Sequence, residues 1–570
     1  MYFVALLIVL SSFQLMALEV KDLRIPVRDK TELAATIYTP TSSPNRDKKF
    51  PVIVQFTPYG KSEAQQRGRY FSKHGYIFVA VDSRGLGESN GVFTPFIDEG
   101  RDGYDVIEYL AKLPMSNGLV GTLGGSYRGF AQWAIQKYRP PSLQSMIAIA
   151  SVYPGYDFPM GNNIFSDYTI SWLDFVLSNG QNKRYGNGDR WQQTYLRQKN
   201  SGTRFKDFDK NATHLSDVYQ TWLAHPSYDE YWQTMVPKQQ DYAAITTPIL
   251  SITGHYDGDQ RGTLRYFKNH QQWGNQLARS EHYLIVGPWD HSGTRKPKSH
   301  VHEAYFLPPS MLDMFKIHLD WFNWTLKGEA KPAYLDSLVM HYIQASGLWV
   351  GQTHLKSGSD VEHLPLQSLQ IQGEVQTVSR YRYDPTKPIA LPMSLDMTGS
   401  VNLPSEYEGY VIFETKPLDR DKVLFGRLEA EVWLTMNVAD SDFYLDAFEV
   451  CTNSRPRLLS KARKRAKYRD SLTNPVSTPS NVPFLIKFKD FDWVARNIEK
   501  GCKLQFVIRS SQWHRQKHFN SALPVAFQTM KQAHVADIQI LHQPQYPSYI
   551  TIPWLKPGDV GKPVVLPLSL

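Results

Sequence analysis

Leu119-Val120-Gly121-Thr122-Leu123-Gly124-Gly125-Ser126-Tyr127-Arg128-Gly129-Phe130-Ala131-Gln132-Trp133-Ala134-Ile135 is the stretch whose reading decides the fold. An apolar run ends at a glycine pair, a serine follows, and a second apolar run begins after Gly129. That order predicts strand, sharp turn, helix. Small residues flank the turn because the backbone there is crowded, and such a turn exposes a serine hydroxyl at the mouth of a sheet. The hexapeptide spells Gly-x-Ser-x-x-Gly, with its second glycine one place later than in the common Gly-x-Ser-x-Gly form. Ser126 is the candidate nucleophile.

On both sides of this stretch the chain alternates strands and helices. Pro51-Val52-Ile53-Val54-Gln55-Phe56 predicts a strand ending at Thr57-Pro58-Tyr59-Gly60, and Tyr76-Ile77-Phe78-Val79-Ala80-Val81 one ending at Asp82-Ser83-Arg84-Gly85. A helix over 102–110 and a strand over 145–151 bracket the serine. Short apolar strands between helices imply a covered, mostly parallel sheet. From 155 to 244 aromatic-rich helical pieces take over, at 168–177, 215–223 and 232–236, and read as a helical insertion over the sheet. The sheet pattern resumes with strands at 248–253 and 283–286, a helix over 263–270 between them, and a covering helix over 315–326. Beyond about 333 the chain is strand-rich, at 338–343, 426–435, 443–450, 484–488 and 504–508, which suggests a sandwich or jelly-roll. The expected fold class is α/β. Its sheet domain spans 18–154 and 245–332, the cap 155–244 and the β domain 333–570.

At 570 residues the chain is too long for one hydrophobic core. Apolar residues make up 42% and charged residues 21%, a balance compatible with a folded soluble protein. The formal charge of +9 is diffuse, which argues against nucleic-acid binding. The densest basic cluster, Lys461 to Arg469, reads on its own as a solvated strand or loop edge. Thirty-two tyrosines and fourteen tryptophans suit a pocket, a domain interface or a homo-oligomer contact. Tyr2 to Leu10 is apolar and runs into Ser11-Ser12-Phe13-Gln14-Leu15-Met16-Ala17. This has the h-region and small-residue end of a secretory signal over 1–17, although its first residues carry no lysine or arginine. Export to the periplasm or medium is the expectation, with a cytoplasmic location if the leader does not function. No later stretch is apolar enough for stable membrane insertion. Two cysteines, Cys451 and Cys502, exclude a cysteine-rich metal site. They lie in separate strand-like stretches of one region, and a bridge between them stays open.

A serine hydroxyl needs a base, and the base needs an orienting carboxylate. In α/β-hydrolase folds these follow the serine as acid, then histidine. Two loops fit, Gly254-His255-Tyr256-Asp257-Gly258-Asp259 and Gly287-Pro288-Trp289-Asp290-His291-Ser292-Gly293, each after a predicted strand. His291 is the best base and Asp257 the best acid. Asp259 and Asp290 compete as acids, His255 and His282 as bases. The Tyr127 N–H, next to the serine, is a natural oxyanion donor. A second donor belongs on the loop at Thr57-Pro58-Tyr59-Gly60. Pro58 has no N–H, so the Tyr59 hydroxyl is a candidate, with a structural tyrosine as the alternative. No motif calls for a metal or an organic cofactor.

With these motifs in order, the chain resembles the bacterial cocaine esterase and α-amino-acid ester hydrolase family, which also takes in Xaa-Pro dipeptidyl peptidases and glutaryl acylases. The elements carrying the resemblance are Thr57-Pro58-Tyr59-Gly60, Asp82-Ser83-Arg84-Gly85-Leu86-Gly87-Glu88-Ser89, Gly124 to Gly129, Gly254 to Gly258 and Gly287 to His291. The family's elbow also has its second glycine three residues after the serine. Asp440-Ser441-Asp442-Phe443 and Arg463 to Arg469 are similar to late segments of the family, which makes the basic cluster a structural part of the sandwich. The resemblance implies an α/β-hydrolase domain, an inserted helical cap and a C-terminal jelly-roll. It also implies Ser126 as nucleophile, Asp257 as acid, His291 as base, and Tyr59 and Tyr127 at the oxyanion.

The implied reaction is hydrolysis of small-molecule acyl esters or amides through an acyl-enzyme. Members acting on α-amino substrates hold the ammonium in a carboxylate cluster. Asp259 matches one acid of that cluster, Gln260 stands where a second is expected, and Asp157 and Asn162-Asn163 offer no secure match from the cap. The alternatives are an Xaa-Pro dipeptidyl peptidase and, outside enzymes, a carbohydrate-binding or adhesion protein.

Overall fold

Phe50–Thr57 and Ile77–Asp82 are buried along their whole length. Strands apolar on both faces require cover on both faces, the condition of a parallel sheet flanked by helices. The computed structural model describes residues 18–40, 48–179, 188–211, 216–302, 304–366, 370–371, 374–375, 378–387, 409–512 and 515–569. The expected leader, 1–17, lies outside the described residues.

The main sheet contains β1 (Leu18–Pro26), β2 (Glu32–Pro40), β3 (Phe50–Thr57), β4 (Ile77–Asp82), β5 (Ser116–Gly125), β6 (Leu143–Ile149), β7 (Ile249–Tyr256), β8 (His282–Asp290), β9 (Val339–Ile343), β10 (Leu348–Gln352) and β11 (Lys562–Pro563). Their spatial order is β1-β2-β4-β3-β5-β6-β7-β8-β9-β10-β11. Pairing is parallel from β4 through β9 and antiparallel at both margins.

The helices that position the site are α1 (Gln65–Lys73), α2 (Glu99–Ala111), α3 (Tyr127–Gln136), α4 (Tyr168–Leu177), α5 (Gly188–Ser201), α6 (Asp217–Ala224), α7 (Gln260–Trp273) and α8 (Met314–Lys327). Period-two alternation splits the sheet's side chains between two cores. Ile53, Phe78 and Leu123 meet Phe71 of α1 and Phe322 of α8 on one face. Val52, Val54, Val79 and Val120 meet Val106 and Ile107 of α2 and Ile135 of α3 on the other. α4, α5 and α6 form the cap, whose aromatic core holds Trp172, Trp191, Tyr219 and Trp222.

The sheet corrects one expected boundary. The sequence pattern starts the β domain at residue 333, yet β9 pairs in parallel with β8, and β10 and β11 close the sheet edge. The α/β sheet therefore continues past 332 and takes its last strand from the C-terminal end.

Apart from two two-stranded hairpins, the remaining strands form an antiparallel sandwich of an eight-stranded and a six-stranded sheet. Glu429–Met436 alternates exposed or half-buried with buried positions, the pattern of a strand with one face inward. Val432, Leu434, Phe443, Leu445, Phe506 and Ile508 fill the space between the sheets. Cys451 and Cys502 are joined by a disulfide.

The basic cluster is not the solvated edge that its composition alone suggested. Arg463 and Arg465 are 7% and 2% exposed. Arg465 makes a two-pronged bond to Asp442 at 2.7 and 3.0 Å and donates to the Asn163 carbonyl of the cap at 2.8 Å. Arg463 donates to the Gly161 carbonyl at 3.2 Å. These arginines are buried because each charge meets a cap carbonyl across the interface, and that of Arg465 also meets Asp442 within the sandwich.

Candidate active site

Ser126 lies between β5 and α3 with φ 66° and ψ −129°, a left-handed backbone that a non-glycine residue adopts only under constraint. The constraint is visible. Its N–H donates to the Ile149 carbonyl at 2.9 Å, and its carbonyl accepts from the N–H groups of Gly129 and Phe130 at 2.8 and 3.0 Å. The flanking glycines are required by space. A Cβ on Gly124 would stand 2.6 Å from the Arg128 Cβ. One on Gly129 would stand 2.6 Å from the Ser151 Oγ and 2.8 Å from the Ile149 carbonyl. Gly129 is the residue at which α3 presses on the end of β6, which explains the glycine's place three residues after the serine.

The two candidate loops meet beside it. His291 Nδ1 is 2.8 Å from Asp257 Oδ1. Asp257 is buried and also accepts from the Thr253 hydroxyl at 2.8 Å and the Asp259 N–H at 3.0 Å. Burial raises its carboxyl, but these bonds and the facing imidazole outweigh burial and hold it below the usual carboxylate range. For His291 burial works against the charged ring, but the Asp259 and Asp257 carboxylates prevail and hold it above its ordinary value. No hydrogen bond joins the Ser126 hydroxyl to His291 among the described residues. Such contacts commonly tighten only with substrate present.

Ser126, His291, Tyr59, Tyr127 and Asp259 line one cavity of about 350 Å³, with Phe96, Val152, Phe158, Trp172 and Gly258 among its walls. Three parts of the chain contribute to it. Trp172 comes from α4 of the cap, and Arg515 comes from the sandwich. The segment at Arg515 is bound to the cap by backbone, through an antiparallel bridge to Ser166 and a Gln516 N–H to Phe165 carbonyl bond of 2.9 Å.

The loop after β3 presents Tyr59. Its N–H is spent on the Thr57 hydroxyl at 3.1 Å, and Pro58 has none, so the phenol is what this loop offers an oxyanion. The Trp172 indole N–H donates to the Tyr59 oxygen at 3.2 Å. Tyr127 is buried, and its phenol is held by Glu99, to which it donates, and by the Phe96 N–H at 2.9 Å. Its backbone N–H follows the serine directly. The motif Asp82 to Ser89 has a structural role. Asp82 accepts the N–H groups of Lys61 and Glu88 at 2.5 and 3.1 Å, and Arg84 pairs with Asp102 at 2.6 Å.

The competing residues fall elsewhere. His255 is buried against Gln344, with burial pushing its imidazole down to about 3. His282 bonds to Ser251 and His270. Asp290 accepts from the Ser292 hydroxyl and the Gly293 N–H within its own turn. Asn162 and Asn163 donate to the carbonyls of Arg463 and Pro226.

Asp157, without a secure match in the sequence, lines the cavity together with Asp259. Its carboxylate accepts the Tyr153 N–H at 2.8 Å and abuts Gly262, where a Cβ would come within 2.1 Å of its oxygen. Burial raises Asp157 to about 7 and Asp259 well above its ordinary value; the Asp257 carboxylate adds to both shifts, and Asp157 adds to that of Asp259. The sequence signal was faint, a cap aspartate and a helix glycine far apart in the chain.

Two groups of side chains bring metal-type donors together among the described residues. In Asp257, Asp259 and His291 the donor atoms lie within 4.8 Å of one another, but the imidazole Nδ1 is already engaged by Asp257, as in an acid–base pair. In Glu449, Cys451 and Cys502 both sulfurs are consumed by the disulfide.

The fold and this cavity define a serine hydrolase of ester or amide bonds, built on an α/β-hydrolase domain with a C-terminal all-β domain. Residues 29–293 match the X-Pro dipeptidyl-peptidase (S15 family) model, and residues 324–551 match the X-Pro dipeptidyl-peptidase C-terminal non-catalytic domain. The two matches follow one another along the chain in the order catalytic domain, then C-terminal domain. It is 22% identical over 590 residues to a cocaine esterase of Rhodococcus sp. (strain MB1 Bresler), covering 94% of this chain and 98% of that one. An aminopeptidase from the marine sediment archaeon Thaumarchaeota archaeon shares the fold at TM-score 0.81 and 18% identity, over 96% of this chain and 98% of that one. An α-amino acid ester hydrolase does so at TM-score 0.81 and 20% identity, over 97% and 98%.

Proposed function

We propose that Ser126, His291 and Asp257 act as nucleophile, general base and orienting acid in hydrolysis through an acyl-enzyme. The carrying observation is the 2.8 Å Asp257–His291 contact beside the strained Ser126 in one cavity. The serine oxygen attacks the substrate carbonyl carbon, and His291 takes the hydroxyl proton. The resulting oxyanion faces the Tyr127 N–H and the Tyr59 hydroxyl. Collapse breaks the bond to the alcohol or amine, which leaves with the proton from His291. A water then gives its proton to His291 and attacks the ester carbonyl, releasing the acid and restoring the serine.

The acyl group we favour carries an ammonium. Asp157 and Asp259 are two acids in an otherwise largely aromatic and aliphatic wall, and both are raised by burial and crowding. A cation between them relieves that crowding. The similarity in fold to an α-amino acid ester hydrolase agrees with this reading. The S15 match supports a second reading, release of an N-terminal dipeptide after proline. Export is a further part of the proposal, supported by the apolar start of the chain and by the disulfide. Secretion from the native cell with loss of about 17 residues by mass spectrometry tests it.

The deciding experiment is hydrolysis of simple acyl esters, α-amino-acid esters, β-lactam side-chain amides and Xaa-Pro amides by the protein and by Ser126→Ala. We expect turnover to fall by at least ~10³-fold in the variant with no loss of folding. Full activity without the hydroxyl would refute the mechanism, and the preferred substrate separates the two readings.

A further inference from the structure

Arg128 is in the first turn of α3, two residues after Ser126. A cation is unfavourable there because the helix dipole already makes that end positive. Its side chain is nevertheless only 10% exposed. What faces it is the Tyr59 ring, with the guanidinium carbon 5.3 Å from the ring centroid, inside the range of a cation–π contact. On its outer side Arg128 pairs with the half-exposed Glu63 at 3.1 Å. Two more guanidiniums share this corner. The Arg295 side chain passes so close to Gly125 that a Cβ there would stand 2.9 Å from it, and Arg67 bonds to Gln55 at 2.8 Å. Burial, reinforced by the charges of Arg128 and Arg295, pushes Arg67 down to about 9. Arg128 is lowered by burial and by Arg295. The corner is therefore a strongly positive patch beneath the nucleophile turn and against the phenol.

We propose that Arg128 is a positioning residue of the oxyanion hole, acting on the reaction through the Tyr59 phenol on which its guanidinium lies. This inference rests on the assignment of Tyr59 as an oxyanion donor. When the substrate oxygen becomes negative, it draws the phenol hydrogen toward itself and the ring gains negative charge. A fixed cation on the ring stabilises that charge more in the transition state than in the resting site, so it raises kcat rather than affinity. The Trp172 indole N–H on the phenol oxygen works in the same direction, since it occupies an acceptor position and turns the O–H toward donation.

The test is a double-mutant cycle on a simple acyl ester whose turnover depends on Ser126. We expect Arg128→Met, which keeps the apolar stem, to lower kcat by about tenfold with KM changed less than about twofold. Arg128→Lys should restore part of the rate. In a Tyr59→Phe background Arg128→Met should cost less than about twofold, because the path through the phenol is gone. An equal loss in both backgrounds overturns the proposal, as does an unchanged kcat in Arg128→Met. If thermal unfolding shows that Arg128→Met does not fold, Glu63→Gln decides instead. Removing the surface counterion should raise kcat by about twofold when Tyr59 is intact and leave it unchanged in the Tyr59→Phe background. No rise, or a fall, with Tyr59 intact overturns it. Turnover surviving Ser126→Ala would refute the serine mechanism itself and is read separately.

Discussion

Asp259 stands 3.5 Å from the imidazole that Asp257 already orients. One carboxylate fixes the ring and the other faces both the ring and the cavity. As the proposed base, His291 must be neutral to act, and its value is held above the ordinary one. On that proposal activity is lost as pH falls through a point above the ordinary histidine value. Asp259→Asn removes one of the charges that hold the ring protonated. We expect the acidic limb of kcat/KM to move to lower pH, and KM for an α-amino-acid ester to rise ~10-fold or more while that for a neutral ester stays close to wild type. Steady-state rates from pH 5 to 9 on the two esters measure both effects. A KM unaffected for the amino ester would remove Asp259 from substrate binding. The pair Asp259 and Asp157 also marks a limit of reading by sequence. Asp259 was visible because it sits two residues from Asp257. Asp157 reaches the cavity through a turn after β6, in a space opened by the absent side chain of Gly262 on α7, and no local pattern records that meeting.

At the scale of elements, the strand–turn–helix around Ser126 was legible because all its determinants are local: the apolar run of β5, the glycines and the apolar run that opens α3. The same holds for the loops after β3, β7 and β8, since parallel strands present their C-terminal ends on one edge. Gly129 transmits this geometry to the sheet. Gly129→Ala would drive a methyl into the Ser151 hydroxyl and the Ile149 backbone. We expect ~1–3 kcal/mol of destabilisation and, as α3 shifts and carries Ser126 with it, about a hundredfold lower kcat. Denaturant unfolding and kcat on one ester check the two numbers. What was not legible is which sheet a strand joins. β9 read as the first strand of the sandwich, because an apolar strand of five residues carries no mark of its partner, and no strand was legible at β10. Their place follows from pairing with β8 and from β11, which returns from the far end of the chain.

For the whole molecule, the cap is fastened to the sandwich by buried polar contacts. Arg465 binds Asp442 within the sandwich and the Asn163 carbonyl of the cap, while the fully buried Lys199 of α5 pairs with Asp167 inside the cap and donates to the Arg515 carbonyl of the sandwich. Composition showed the basic run but not its burial, because the acids that neutralise it are distant in sequence. Removing one member leaves the other charged and dry. Arg465→Met should cost ~3–5 kcal/mol, read as a lower midpoint in guanidinium unfolding. A loss under about 1 kcal/mol would mean that water reaches Asp442. The cavity wall at Arg515 has a further consequence. The proposed nucleophile, acid and base all come from the α/β domain, but one side of the cavity is formed by Arg515 of the sandwich, on a segment to which the proposal assigns no reacting group. Lineages can thus exchange substrates by drift in the sandwich loops while the reacting residues stay constant, and a laboratory search for new specificity has a second, chemically silent region in which to begin.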